Sequence, residues 1–277
     1  MTIKIIADSS CDLTQELKEE MNIELAPLVL YLGNKSYVDD ESLNIKQYVK
    51  AMKECETSPK TACPSPEDYM NKYKGTESVF VVTLSSHLSG SYNSAELAKS
   101  IYLDEVGEKQ IHVFDSLSAS IGETLISLKI HECAKSEMNE LEIVEKVSNY
   151  IKDMKTYFLL ESLEHLAKAG RLNPIIAKVA SILSIKPIMC SEEGTIKLAE
   201  KVRGYKKAFS RLVDTIGDVG RNLEDKVLGI AHCNCLDRAL QFKEEVLKKY
   251  NFKDIIIVEM GGLSSTYADD GGLVIAF

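Results

Sequence analysis

Three times in the first half of the chain, a short apolar run leads into a serine-rich loop and then into a helical pattern. The apolar runs lie at 3–7, 79–84 and 111–114, and the serines that follow lie within 9–10, 85–91 and 116–120. Strands that alternate with helices form a parallel sheet, and the carboxyl ends of its strands meet at one edge. We therefore predict an α/β fold with a ligand site at that edge.

The second half of the chain has a different pattern. Strand patterns lie near 156–160, 187–190, 195–202, 227–232, 254–259 and 273–277, and helical patterns lie at 162–169, from Pro174, at 205–216 and at 236–249. The turn at 191–194 makes 187–202 a β-hairpin, so the sheet has mixed strand directions. We expect an N-terminal parallel-sheet α/β/α domain at 1–155, a second α/β domain with a mixed sheet at 156–277, and the ligand between them.

Charge is distributed unevenly along the chain. Residues 1–150 carry 14 Lys/Arg and 25 Asp/Glu, whereas residues 151–277 carry 19 and 17 and include all five arginines. An acidic first half repels phosphate backbones, so we expect no nucleic acid partner.

No apolar run is long enough for an integral membrane segment, and the start lacks a signal-peptide pattern. The seven cysteines are scattered, which favours reduced thiols and a cytoplasmic location.

Two loops carry the groups best suited to an anion. Ser89-Gly90-Ser91 lies between a strand and a helix, where free amides and hydroxyls meet, and Gly90 allows close approach of a ligand. Thr61 precedes a helix that Ser65, Pro66 and Asp68 should start. Ordinary helix capping explains the serines equally well. On spacing alone, an ordinary loop threonine is favoured over a ligand-binding role for Thr61.

Other candidate sites are weaker. His87 beside two serines does not form a nucleophile elbow, and the single carboxylates Asp8 and Asp115 favour loop bonding over metal. Asp12, with Gln15 three residues later, predicts a helix start. Arg171 follows Gly170 at a helix end, where any cation is favourable. No P-loop or other nucleotide motif is present, and we expect neither a metal nor a cofactor.

The order of six motifs resembles the DegV family of fatty-acid-binding proteins. These motifs are Asp8-Ser9-Ser10-Cys11-Asp12-Leu13, Thr61-Ala62-Cys63-Pro64-Ser65, Ser86-His87-Leu88-Ser89-Gly90-Ser91-Tyr92, Val113-Phe114-Asp115-Ser116 through Ser120 and Gly122, Lys168-Ala169-Gly170-Arg171, and Ile185-Lys186-Pro187-Ile188. Each motif alone is weak, but six in order over both predicted domains are specific.

The resemblance implies a carrier that is not itself an enzyme. It implies that a long-chain fatty acid lies in an apolar tunnel between the domains, with its carboxylate held by Thr61, Ser89 and Gly90. It also implies a separate ATP-dependent fatty-acid kinase as partner, which phosphorylates the bound carboxylate. On the same basis we add Ser91, Ser120, Tyr267 and Arg171 to the ligand-binding residues.

The tail of the chain departs from the family pattern. Tyr267 stands where the family carries a histidine, and Asp269 and Asp270 follow where glycine and proline are usual. A phenol donates one hydrogen bond but has no positive charge at neutral pH. We expect Tyr267 to line the pocket and the two carboxylates to disfavour an anionic head group. There are two alternatives. One is a lipid storage or sensing module without a kinase partner, and the other is a small phosphotransfer or hydrolytic enzyme.

Overall fold

The N-terminal half contains two sheets. The structure is a computed structural model that describes residues 2–173, 175–176 and 184–277, so the helix predicted from Pro174 lies outside the described residues. The strands are β1 Ile3–Asp8, β2 Glu24–Ala26, β3 Val29–Leu32, β4 Lys35–Val38, β5 Lys60–Ala62, β6 Ser78–Thr83 and β7 Ile111–Asp115. Strands β2-β1-β6-β7 form a parallel sheet, and β4-β3-β5 form a small antiparallel sheet.

Six helices accompany these sheets, namely α1 Gln15–Met21, α2 Ile45–Glu54, α3 Pro66–Lys72, α4 Ser91–Glu105, α5 Ile121–Lys135 and α6 Glu140–Asp153. Helix α3 begins as predicted, because Ser65 and Asp68 form a capping box ahead of Pro66. The predicted start of α1 at Asp12 is wrong. Thr14 caps this helix, while the buried carboxylate of Asp12 bonds to other parts of the chain.

The C-terminal half forms one six-stranded mixed sheet. Its strands are β8 Thr156–Leu159, β9 Ile185–Glu192, β10 Thr195–Arg203, β11 Val227–His232, β12 Asp254–Glu259 and β13 Leu273–Ala276, in the order β10-β9-β8-β13-β11-β12. Among the strands that the structure describes in this half, β11 and β12 form the only parallel pair. The α-helices given by the described residues of this half are α7 Glu164–Lys168, α8 Tyr205–Val219, α9 Leu236–Leu247 and α10 Gly262–Ala268. The predicted fold class is confirmed, including the 187–202 hairpin.

Helix α5 lies between the two larger sheets. Ile126 and Ile130 pack with the parallel sheet, whereas Ile121 and Leu125 pack with residues of the mixed sheet. Gly229 on β11 permits this close approach because it has no Cβ. A Cβ at this position would lie 2.3 Å from Ile121 Cγ1, which is too close. The helix therefore joins the two halves through apolar packing. The boundary between 155 and 156 stays a prediction.

None of the helices within the described ranges is both long and apolar enough to cross a bilayer.

Candidate functional site

A cavity of about 320 Å³ lies between the two halves of the molecule. Most of its wall is apolar and comes from both halves, with Leu28, Leu84, Leu88, Phe158, Leu160, Leu166, Ile196, Met260, Leu263 and Val274. Six of the seven predicted ligand-binding residues also line it, namely Thr61, Ser89, Gly90, Ser120, Arg171 and Tyr267. An apolar cavity with a few polar groups is the usual form of a small-molecule site.

Thr61 and Tyr267 meet at this cavity from opposite halves of the chain. Thr61 lies on β5, which pairs with β3, and Tyr267 lies on α10. Their hydroxyl oxygens are 2.9 Å apart, and both side chains are half-buried. Each hydroxyl both donates and accepts, so the pair can open to give two donors to one anion. Tyr267 therefore lines the pocket from the second half of the chain, as predicted.

The loop that follows β6 brings Ser89 and Gly90 to the cavity. Gly90 is the residue before α4, and it has no side chain that could occupy the amides of the first helical turn. A Cβ on Gly90 would lie 3.2 Å from Cys63 Sγ, which shows how closely the two predicted loops approach. Ser89 Oγ accepts a hydrogen bond from the Ser91 amide at 3.2 Å, and Ser89 and Gly90 reach the same cavity as Thr61.

Ser91 corrects the prediction, because it does not line the cavity. Its side chain is fully buried, and its hydroxyl donates to Asp8 and lies 2.7 Å from Tyr69 Oη. Asp8 also accepts from the amides of Ser10 and Leu84 at 3.0 and 2.8 Å. Ser91 thus helps Asp8 to fix the loops after β1 and β6, and it is a structural residue beneath the site.

Ser120 lines the cavity with its hydroxyl already engaged. It donates to the buried carboxylate of Asp12, and the Ser120 amide donates to Ser10 Oγ at 3.2 Å. Burial raises the pKa of Asp12 to about 7, against the lowering effect of hydrogen bonds from Ser120 and the Gly261 amide. Ser120 thereby connects the loop after β7 to the loop after β1.

Arg171 joins the two halves at the edge of the cavity. Its Nε donates to the carbonyl of Leu88 at 3.0 Å, and its Nη1 donates to the carbonyl of Ala169 at 2.6 Å. The side chain is otherwise exposed. The guanidinium therefore supports the loop that carries Ser89 and Gly90, in addition to ending α7.

The β9–β10 hairpin also contacts the serine-rich loops. Ser85 Oγ donates to the Gly194 carbonyl at 2.8 Å, and Ser191 Oγ donates to the Leu117 carbonyl at 2.6 Å. A Cβ on Gly194 would lie 2.6 Å from Ser85 Oγ, so this turn requires glycine for close approach as well as for its φ of +78°. Ser85 is buried and committed to this contact, whereas His87 is exposed, so the pair is not a nucleophile and base.

The two acidic residues of the tail lie outside the cavity wall, next to Ala268, which lines it. Their effect on an anionic head group stays a prediction. Asp270 forms a salt bridge with Lys53 at 2.5 Å and accepts from Asn234 at 2.9 Å. The hydrogen bond to Lys53 holds the pKa of Asp270 below its ordinary value. Asp269 Oδ1 accepts from the Asp270 amide at 2.9 Å. The charge of Asp270 is therefore matched by a cation.

Five further hydroxyl residues line the cavity without having been predicted as ligand residues, namely Ser10, Ser118, Thr156, Ser191 and Ser264. Ser10 and Ser118 lie in the loops that the sequence marked as a ligand edge. Ser264 precedes Tyr267 by three residues, so helical spacing places both on one face of α10. Thr156 is 2.7 Å from Ser118 Oγ, a contact between distant segments that spacing does not predict.

No group of three His, Cys, Asp or Glu side chains able to hold a metal occurs within the described ranges.

The fold and cavity define a two-domain α/β protein with an apolar small-molecule site between its halves. The family model described as "Uncharacterised protein, DegV family" matches residues 2–277. The chain belongs to the DegV family. A DegV domain-containing protein of Streptococcus gordonii is 36% identical over 281 residues, which span 100% of this chain and 99% of that protein.

Solved structures of the same family show the same fold. A DegV family protein of Ruminococcus gnavus, refined with vaccenic acid, is 43% identical with a TM-score of 0.96 and coverage of 100% of both chains. The fatty acid kinase B3 protein of Streptococcus pneumoniae, loaded with linoleic acid, is 34% identical with a TM-score of 0.92. The match covers 100% of this chain and 99% of the pneumococcal chain.

Proposed function

We propose that this protein binds one long-chain fatty acid in the cavity between its halves and carries it without transforming it. The acyl chain contacts the apolar wall, and the carboxylate accepts hydrogen bonds from Thr61, Ser89, the Gly90 amide and Tyr267. The observation that carries the proposal is the 2.9 Å contact of Thr61 and Tyr267 at an otherwise apolar cavity. A carboxylate removed from water needs several donors, because burying it unpaired costs several kcal/mol.

We further propose that a separate ATP-dependent kinase phosphorylates the bound carboxylate in the cytoplasm. Gly90 and Arg171 line the cavity and are also exposed, so the polar groups lie near the surface, where a partner can reach them. The name of the pneumococcal relative, a fatty acid kinase protein loaded with linoleic acid, supports this role. The seven cysteines are all free, which fits a reducing compartment.

Native mass spectrometry of the freshly purified protein tests the carrier role. We expect a bound species of fatty-acid mass, and delipidated protein should bind oleic acid with one-to-one stoichiometry. Thr61→Val removes one donor and should weaken binding about tenfold, which corresponds to about 1.4 kcal/mol.

Thr215→Val is the matched control, because the Thr215 hydroxyl donates to the Arg211 carbonyl at 2.9 Å, away from the cavity. An empty protein that binds no fatty acid but hydrolyses a small phosphate ester would instead support the enzyme alternative.

A storage or sensing module without a kinase is the second candidate. Tyr267 favours it, since a phenol offers one hydrogen bond and no positive charge to a phosphorylated head group. Incubating the oleate-loaded protein with ATP and a fatty-acid kinase distinguishes the two roles. Acyl phosphate supports presentation to a kinase, whereas tight oleate binding without acyl phosphate supports storage or sensing.

A further inference from the structure

Two buried carboxylates of the N-terminal half bind the start of helix α10. Asp12 is 2% exposed and Asp39 is 5% exposed. Asp12 Oδ1 accepts from the Gly261 amide at 2.7 Å, and Asp39 accepts from the amides of Gly262 and Leu263 at 2.8 and 2.9 Å. Three consecutive amides of the C-terminal half are thus bound by side chains of the N-terminal half.

We propose that Asp12 and Asp39 are positioning residues for the fatty-acid head group. They form a clasp, defined as these two carboxylates with the amides of residues 261–263, that holds α10 so that Tyr267 reaches Thr61. This inference rests on the proposed function, since Tyr267 acts there as a donor to the carboxylate. It also gives a role to the opening motif, which contains Asp12 and otherwise contributes only Ser10 to the cavity wall.

The length of α10 explains why it needs external support. It has seven residues, and helices of fewer than about 12 residues are marginal on their own. Its first amides have no acceptor within the helix, and a carboxylate satisfies them with charge-assisted hydrogen bonds. Tyr267 follows Leu263 by four residues, so a shift at the start of α10 moves the phenol by a similar amount. Tyr48 adds one side-chain contact, at 2.7 Å to Thr266 Oγ1.

Asp39 and Asp12 differ in how well each tolerates replacement by asparagine. Both oxygens of Asp39 accept from backbone amides, and Ser9 Oγ donates to Oδ2 at 2.8 Å. In Asp39→Asn, the new NH₂ group must face an amide that can only donate. Asp12 uses one oxygen for Gly261 and the other for the Ser120 hydroxyl, which can turn and accept. Asp12→Asn therefore preserves the clasp, and Asp12→Ala removes the contact with Gly261.

Amide hydrogen exchange of the ligand-free full chain tests the clasp without any lipid. We expect Asp39→Asn to accelerate exchange of residues 261–268 about tenfold, the effect of about 1.4 kcal/mol on a local opening. Asp12→Asn should stay within about threefold of wild type. Asp68→Asn is the matched control, because Asp68 caps α3 within the N-terminal half. Unchanged exchange in Asp39→Asn overturns the clasp.

Oleic acid titration then tests the positioning role. Asp39→Asn should weaken binding about tenfold in the wild-type background and have no effect in the Tyr267→Phe background. An equal loss in both backgrounds, or faster exchange with unchanged affinity, overturns positioning through Tyr267. If Asp39→Asn does not fold, Asp12→Ala decides, since accelerated exchange supports the clasp and unchanged exchange overturns it. Failure of the wild-type protein to bind oleate refutes the proposed function, whereas the exchange result still decides the clasp.

Discussion

At the scale of single residues, Tyr267 stands where the resemblance to the family predicts a histidine, and we propose its hydroxyl as a donor to the head group. Its hydroxyl lies 2.9 Å from Thr61, and its ring lines the apolar cavity. A phenol combines an apolar ring with a polar tip, so one side chain can contact both the acyl chain and the carboxylate. A tyrosine at this position therefore offers a hydrogen-bond donor without a positive charge.

We expect Tyr267→Phe to weaken oleic acid binding by about 1–3 kcal/mol, because Thr61 and the carboxylate lose a partner inside the cavity. Isothermal titration of delipidated protein measures this loss. Tyr250→Phe is the control, since the Tyr250 hydroxyl makes only a 3.4 Å contact with the Asp214 carbonyl, away from the cavity. Equal affinities for Tyr267→Phe and wild type would show that the phenol does not bind the head group.

The sequence predicted the cavity residues better than the residues beneath them. Ser89 and Gly90 reach the cavity from the loop after β6, at the predicted edge of the parallel sheet, whereas Thr61 reaches it from β5 of the small antiparallel sheet. Ser91 and Asp12 have the same local pattern as helix caps, yet both are buried in contacts with residues more than 80 positions away. Local spacing does not encode such partners, so it could not separate a cap from a long-range contact.

At the scale of elements, the end of α7 is connected to the loop before α4. Arg171 supplies this connection by donating to the carbonyls of Leu88 and Ala169 at the same time. A planar guanidinium can hold two acceptors in fixed directions, whereas an ammonium group acts as a point charge. The connection therefore depends on arginine, and any other helix-end cation would be a poor substitute.

We expect Arg171→Lys to weaken oleic acid binding about threefold, which is about 0.7 kcal/mol, while the melting temperature stays close to wild type. The loss is modest because the guanidinium is exposed and water competes for both carbonyls. Arg221→Lys is the control, as Arg221 donates to the Gly220 carbonyl on an exposed surface. A lower melting temperature with unchanged affinity would return Arg171 to the role of a helix-end cation.

Most elements of the sheets were predictable, and the exceptions have identifiable causes. Residues 25–31 form one apolar run in the sequence, but Pro27 separates β2 from β3 within it, and the two strands belong to different sheets. Proline lacks the N–H that a continuous strand needs, so this break was visible in the sequence. The packing of α5 against both larger sheets was not visible in the sequence. A helix that is apolar on two faces does not indicate which sheet covers each face.

At the scale of the whole molecule, four buried acids lie near the junction of the two halves. Burial raises the pKa of Asp12 to about 7 and of Asp39 to about 6, and the pKa values of Asp8 and Glu123 are also raised. Asp12 and Asp39 repel each other, as do Asp8 and Glu123. These carboxyls bind protons more tightly in the folded protein than in the unfolded chain, so protonation favours the fold.

The stability contributed by Asp12 should therefore decrease as the pH rises from about 4 to about 7, and level off above that window. Acids with lowered pKa values, such as the exposed Asp153 and the half-buried Asp270, act in the opposite direction. The free energy of unfolding in urea should thus be compared between wild type and Asp12→Asn at each pH. We expect the free energy of unfolding of wild type, minus that of Asp12→Asn, to fall as the pH rises from about 4 to about 7. A difference independent of pH would show that Asp12 has an ordinary pKa.

The position of β13 has a consequence for the order in which the molecule assembles during synthesis. Ala276 on β13 pairs with Thr156 on β8, 120 residues earlier, and β13 also pairs with β11. Every strand of the parallel sheet is translated before β8, whereas the mixed sheet must wait for its central strand. Because α10 directly precedes β13, the cavity between the halves gains its last wall only then. In the full-length chain the β1–β6 pairing also closes a shorter loop, 75 residues from Lys4 to Val79, than the β8–β13 pairing does. Pulse-labelling hydrogen exchange during refolding should therefore protect β1, β6 and β7 before β8 and β13, and simultaneous protection would contradict this order.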